Sequence, residues 1–277
     1  MPNEADEADE GVGRVDSAVH DNYVTNENLS RRRGLLSYAV KPPRPQKNVA
    51  DMFVWPDDAS VLDIGCGDGM WAALAASRTP RGSVVGLDFS LGMLEAITER
   101  TNDVLRVQGD ANTLPVRSGS VDVVLAMWML YHVDRTRAVG ECKRVLRADG
   151  RLIAATNELS FLPTLDDDIQ EAANTVAGHD VGQWLGTMSF TLETGADWFM
   201  PHFANVERIV NETPFEVPTA DPLIAYIDSV RGPTMARLGN DFDFDAFLAL
   251  VRTGIEARLA TGPIRYNRRI AFFVARN

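Results

Sequence analysis

Val61-Leu62-Asp63-Ile64-Gly65-Cys66-Gly67-Asp68-Gly69 is the stretch on which the fold of this 277-residue chain turns. Val61 to Ile64 has strand character and runs straight into a turn with glycine at alternate positions. Trp71, Leu74 and Ala75 then recur at helical spacing. Further along, Val84-Val85-Gly86-Leu87 predicts a second strand ending at Asp88. Ser90 is a good N-cap for a following helix in which Leu94 and Ile97 share a face. Val104 to Val107 predicts a third strand, ending near Asp110. Val121 to Met127 is aliphatic without alternation, the pattern of a strand buried on both faces. Asp134 is expected to cap a helix with Val139, Cys142, Val145 and Leu146 inward, closed by Gly150 at C′. Arg151 to Thr156 is the next strand. Strands alternating with helices through short connections imply a parallel sheet with right-handed crossovers and helices on both faces.

Outside residues 60–157 the rhythm breaks. Residues 1–10 hold five carboxylates and no base, so 1–22 reads as a disordered acidic tail. Residues 23–59 read as an N-terminal helical cap, with Arg31, Arg32, Arg33, Lys41, Arg44 and Lys47 clustered and no acid among residues 31–50. Residues 158–204 read as a lid over the carboxyl edge of the sheet, with Thr164 capping a helix from Asp166 to Val176 that Gly178 ends. Residues 205–277 supply the rest of the sheet: a strand over Val206 to Val217 broken by Pro214, a helix on Phe244, Phe247, Leu248, Val251, Ile255 and Leu259, and a terminal strand at Arg269 to Val274.

Composition narrows the function. The formal net charge is −12, which disfavours holding nucleic acid by phosphate neutralisation. The longest apolar run, Val123 to Tyr131, is nine residues, far short of the roughly 20 that span a bilayer. The first ten residues have no secretory character, and two cysteines are too few for a disulfide framework, so a cytoplasmic location is expected.

Every notable polar residue falls at a strand's carboxyl end, where open parallel sheets bind ligands. The glycine turn lets backbone approach a ligand and aims helix amides at an anionic group, although any tight strand-to-helix turn uses glycine. Asp88, 23 residues after Gly65, can accept both hydroxyls of a ribose or act as a helix N-terminal acid. Asp110, 22 residues further, can accept from an exocyclic amine or close an Asx-turn toward Pro115. Each bland reading is plausible singly; three coinciding on consecutive strand ends are not. The glycine spacing lacks the third glycine of a dinucleotide fingerprint, and no tyrosine is followed by lysine four residues on.

VLDIGCGDG (61–69), VVGLDFSLGMLEAI (84–97), GDANTLP (109–115), VDVVLAMWMLYHV (121–133) and ECKRVLRADGRLIAAT (141–156) together resemble the successive motifs of class I S-adenosylmethionine-dependent methyltransferases. The branch they most resemble is the small-molecule type of ubiquinone and menaquinone biosynthesis. The resemblance implies a Rossmann-like, doubly wound, mostly parallel seven-stranded α/β sheet with helices on both faces and an antiparallel last strand. It also implies S-adenosylmethionine as cofactor. Its methionine part would lie over Gly65 and Gly67 with Asp63 supporting loop and amino group. Asp88 would take the ribose hydroxyls, Phe89 or Met93 the adenine face, Asp110 the adenine amine and the Ala111 amide a ring nitrogen. Backbone at Ala126 and Met127 would face the sulfonium.

Methyl transfer needs alignment and exclusion of water, and a base only when the acceptor atom must shed a proton early. His132 is the first candidate base, though family members carry His there across different acceptors. Glu158 and Glu193 are weaker ones, more simply read as solvated or capping acids. The fourth strand ends in Ala126-Met127-Trp128-Met129, without the acids of metal-assisted catechol enzymes or the Asn/Asp-Pro-Pro-Tyr of amino-methylating ones. No metal is expected. Trp128, Met129, Tyr131, Trp184, Phe190, Trp198 and Phe199 are candidates for an apolar acceptor pocket, about half of them in contact with substrate. The Arg31–Lys47 cluster reads as the solvated face of an N-terminal helix that folds over the cofactor. Its sharper reading is a site for an anionic acceptor, helped by Arg265, Arg268 and Arg269. The resulting expectation is a metal-independent methyltransferase acting on a small, partly apolar metabolite in biosynthesis. A NAD-dependent oxidoreductase and a non-catalytic S-adenosylmethionine-binding protein are the alternatives.

Overall fold

In the computed structural model the described residues are 21–40, 51, 53, 55–160, 162–184 and 190–277. The tail at 1–20 and the basic residues Lys41, Arg44 and Lys47 lie outside them. The N-terminal helix α1 (Glu27–Gly34) precedes β1 (Ser60–Ile64), α2 (Met70–Arg78), β2 (Ser83–Asp88), α3 (Leu91–Ala96), β3 (Leu105–Gln108) and β4 (Val121–Met127). There follow α4 (Arg135–Val145), β5 (Leu146–Asn157), α5 (Asp166–Ala177), α6 (Gly195–Phe199) and β6 (Asn205–Val217). The chain ends with α7 (Asp221–Asp228), α8 (Arg231–Leu238), α9 (Phe244–Leu259) and β7 (Ile264–Arg276). The seven strands form one sheet in the order β3-β2-β1-β4-β5-β7-β6, with β1 to β5 parallel and β7 antiparallel to both neighbours. This is the Rossmann-like architecture expected from the alternating pattern.

The unbroken apolar run of β4 has its cause in the layers. Val124 and Ala126 face a core with α4, while Val123 and Leu125 face the opposite core with α2 and Ile97. A third core joins α5, α7 and α9 to the far ends of β6 and β7, through Leu165, Ile169, Phe215, Leu223, Phe247 and Val251.

Four local expectations are corrected. Helix α4 is capped by Asp134 as expected, but it ends at Val145, and Leu146 is already extended (φ −67°, ψ 141°). Gly150 therefore does not terminate a helix. It lies within β5, beside an irregularity in the β4–β5 register, where a Cβ would stand 3.1 Å from the Asp122 carbonyl oxygen. Thr164 does not cap α5. Its hydroxyl points to the Arg265 carbonyl, and Asp166, Asp167 and Asp168 occupy the first turn, where negative charge is favoured. Pro214 does not break β6, because β6 is the edge strand and a missing N–H costs no ladder bond there; the Pro214 carbonyl accepts the Val40 N–H at 2.9 Å. Finally, Phe190 and Phe199 do not line a pocket but pack on Phe273 in the core, fully buried.

Candidate active site

Strand order reverses between β1 and β4, and the crevice that opens at their carboxyl ends is where such sheets receive ligands. The β1–α2 turn enters it with Gly65, Gly67 and Gly69 at φ of 59°, 55° and 73°. At Gly65 a Cβ would sit 2.7 Å from that of Met129, so glycine both permits the left-handed turn and lets it close on the end of β4. At the tip of β2, buried Asp88 accepts the Gly67 N–H through Oδ2 (2.8 Å) and the Ser90 N–H through Oδ1 (2.9 Å). Ser90 caps α3 by accepting the Met93 N–H, as its sequence position implied.

Asp63 is the electrostatic anomaly. It is 1% exposed, and among the described residues neither carboxylate oxygen has a hydrogen-bond partner. Burial, and then the charge of Asp88, hold its pKa well above the usual carboxylate range; the Ala72 amide, short of hydrogen-bond geometry, offsets little of this. Asp88 is raised too, by burial, against the opposing pull of the Ser90 and Gly67 amides. Two such carboxylates beside a glycine cradle fit a ligand that brings a cationic amino group to one and hydroxyls to the other. S-adenosylmethionine has both groups.

The remaining expected cofactor contacts lie at neighbouring strand ends. Phe89 is half-buried, Met93 buried, and Ala126 and Met127 are buried at the end of β4. Asp110 is exposed and closes an Asx-turn onto the Asn112 N–H (2.8 Å), with Ala111 buried behind it.

The N-terminal segment lies against the crevice. The Ser90 hydroxyl donates to the Tyr23 carbonyl (2.8 Å), and the Leu29 side chain lies 3.7 Å from where a Gly67 Cβ would stand. Arg32 donates to the Tyr23 hydroxyl (2.6 Å), and that hydroxyl shares a hydrogen bond with His132 Nε2 (3.0 Å). Burial, then the Arg32 charge, pushes the His132 pKa down to about 3. Glu158 and Glu193 do not join His132. Glu158 is buried and accepts both the N–H and Nε of Arg269 (2.7 and 2.9 Å), and Glu193 approaches the same guanidinium at 3.8 Å.

Trp128, directly after β4, is the only non-glycine among the described residues at positive φ (56°). Its Nε1–H donates to Asn157 Oδ1 (3.1 Å) and its ring meets Trp71 and Phe272. A tryptophan held in this region costs of order 1–3 kcal/mol and persists only where surroundings over-determine it. The basic cluster divides among partners: Arg31 pairs with Glu27 and Asp228, Arg33 with Asp68, Arg265 with Glu216. Arg268 donates to Asn157. Tyr23 and Asn157 escaped motif reading, whereas Arg32 and Trp128 entered it only as a member of the basic cluster and as a candidate pocket aromatic.

Residues 62–154 match the family model described as a methyltransferase domain. A curated protein of Streptomyces fradiae, described as an uncharacterized 37.1 kDa protein in transposon TN4556, is 37% identical over 173 residues, 60% of this chain and 48% of that one. The demethylmenaquinone methyltransferase of Staphylococcus aureus is 38% identical over 143 residues, 50% of this chain and 59% of its own. The chain thus spans about half the length of the curated relatives it matches. Among solved structures, a putative type II methyltransferase from Anaeromyxobacter dehalogenans superposes with a TM-score of 0.58 at 21% identity, over 84% of this chain and 96% of that one. Fold, crevice and sequence agree: this chain carries a class I S-adenosylmethionine-dependent methyltransferase domain resembling those of quinone-biosynthesis enzymes.

Proposed function

We propose that the protein is a metal-independent enzyme that transfers a methyl group from S-adenosylmethionine to a small, partly apolar metabolite in a biosynthetic pathway. The observation that carries this reading is the pair of buried carboxylates, Asp63 without a donor and Asp88 with capacity to spare, flanking the glycine turn. Bound cofactor supplies a methyl group already activated on a positive sulfur. The chain's part is to hold, orient and keep dry. Asp63 takes the amino group over Gly65 and Gly67. Each Asp88 oxygen already accepts one amide and keeps a lone pair for a ribose hydroxyl. Phe89 or Met93 would pack on adenine, Asp110 would meet its amine and the Ala111 amide a ring nitrogen, with the backbone at Ala126 and Met127 on the sulfonium side.

His132 serves best as a positioning residue. A neutral imidazole whose Nε2 is engaged by Tyr23, with a pKa near 3, is a weak proton sink at neutral pH. It instead fixes Tyr23, and with it the N-terminal segment, over the crevice. Glu158 and Glu193, both turned to Arg269, are poorly placed as bases. The sharper reading of the basic cluster, an anionic acceptor, is retained. The two buried free thiols, Cys66 and Cys142, suit a cytoplasmic setting.

The test is transfer of labelled methyl from S-adenosylmethionine into a small-molecule extract, with release of S-adenosylhomocysteine. The same protein should bind S-adenosylhomocysteine in a calorimeter, and Asp88→Ala should weaken that binding about 100-fold, for two charge-assisted hydrogen bonds at ~1.5 kcal/mol each. Binding of NAD in place of S-adenosylhomocysteine would favour the oxidoreductase alternative. Cofactor binding without any methyl transfer would favour the non-catalytic one.

A further inference from the structure

The sharper acceptor reading can be given residues, and it rests on the methyltransferase function proposed above. At this end of the sheet Arg33, Arg265 and Arg269 each face a carboxylate. Arg32 and Arg268 do not: among the described residues neither has an acid within ion-pair distance. Half-buried Arg268, on β7, donates to Asn157 Oδ1 (2.7 Å), the same oxygen that receives the Trp128 indole N–H. Its guanidinium is thereby tied to the end of β4, next to where the methyl group would be presented. Arg32 reaches over from α1, held by the Tyr23 hydroxyl and by the Ser229 hydroxyl and carbonyl.

The charges of both arginines bear on the same group of phenols. Both act on the phenols of Tyr131 and Tyr226, and Arg268 acts on Tyr266 as well. Tyr266 has a buried hydroxyl with no hydrogen-bond partner among the described residues. The acid that bears on this group, Asp166, acts on Tyr226 less than either arginine does and takes the Ser160 hydroxyl. A guanidinium presents donors in a planar fork that matches an oxyanion, and tyrosine and tryptophan supply flat apolar walls beside it.

We propose that the acceptor is a flat, partly apolar molecule bearing an oxyanion, carboxylate or phosphoryl, that Arg268 grips while Arg32 reinforces the positive field. The acceptor's reacting atom is then oriented toward the β4 end by a charged anchor held on β7.

Calorimetry on the full chain saturated with S-adenosylhomocysteine tests this. The anionic probes are benzoate, 4-hydroxybenzoate and phenyl phosphate, and the neutral counterparts are benzamide, 4-hydroxybenzamide and phenol. An anionic probe is expected to bind about tenfold or more tightly than its counterpart. Arg268→Gln should abolish that advantage, Arg268→Lys should restore part of it, and both should leave S-adenosylhomocysteine affinity within about twofold of the unmodified protein. Preference for phenyl phosphate would identify a phosphoryl group, and preference for the benzoates a carboxylate. Equal binding of charged and neutral probes, no binding of any probe up to about 10 mM, or an undiminished advantage in Arg268→Gln would overturn the proposal. Failure of the unmodified protein to bind S-adenosylhomocysteine would instead overturn the methyltransferase reading on which it rests.

Discussion

Asp63 is the residue whose energetics say most about the site. A carboxylate enclosed without a donor destabilises the empty protein, and its raised pKa means the charged form is disfavoured until a cation arrives. Asp63→Asn removes that penalty. The substitution is expected to raise the melting temperature of the ligand-free protein by a few degrees (~1 kcal/mol) while weakening S-adenosylhomocysteine binding about tenfold. Thermal melts with calorimetry check both, and a lower melting temperature with unchanged affinity would place Asp63 in the scaffold instead. Asp88 stood out in the sequence because it ends a predicted strand, whereas Asp63, inside β1, entered only through the resemblance to methyltransferase motifs. Tyr23 and His132 were not legible as a pair. They stand 109 positions apart, and no local period encodes their meeting. Nor does any periodicity announce that Trp128 takes a left-handed backbone.

Helix α1 shows how a short element with no buried residue of its own is nevertheless fixed. Successive helical residues turn by about 100°, so Arg31, Arg32 and Arg33 fan out to different neighbours: the end of α7, the Tyr23 hydroxyl with Ser229, and Asp68 in the glycine turn. Asp68 is the buried member, shared by Arg33 and Arg100. Burial acts to raise its pKa, but the hydrogen bonds and charges of the two arginines prevail and hold it below the ordinary value. A depressed carboxylate stabilises the fold above its unfolded pKa and loses that contribution as pH falls through the folded one. Asp68→Asn should therefore destabilise the protein by about 2 kcal/mol at pH 7, and the difference should fade as pH drops below the ordinary carboxylate range. Hydrogen exchange should quicken in residues 27–34 before the sheet is affected. A penalty independent of pH would contradict the ion-pair account. Among the elements, the parallel strands were readable from the alternation of pattern. The end of α4 and the continuity of β6 were misread, because Gly150 and Pro214 answer to a crowded strand register and an outer sheet edge, both tertiary facts. Helices α7 and α8 went unread, since neither presents a long amphipathic stripe.

At the scale of the molecule, a parallel half (β1 to β5) carries the glycine turn and both aspartates. The antiparallel β7, inserted between β5 and β6, brings Arg268 and Arg269 to the same edge. The same fold serves many reactions, so chemistry has to be argued from the crevice and not from the sheet. The central claim is that consecutive strand ends close around one sulfonium nucleoside. A crystal structure of the protein with S-adenosylhomocysteine measures this directly. The account predicts ribose hydroxyls on Asp88, adenine beside Asp110, the amino group within hydrogen-bonding reach of Asp63, and the sulfur facing the Met127 end of β4. A nucleoside bound elsewhere, or one that leaves Asp63 without a partner, would contradict it.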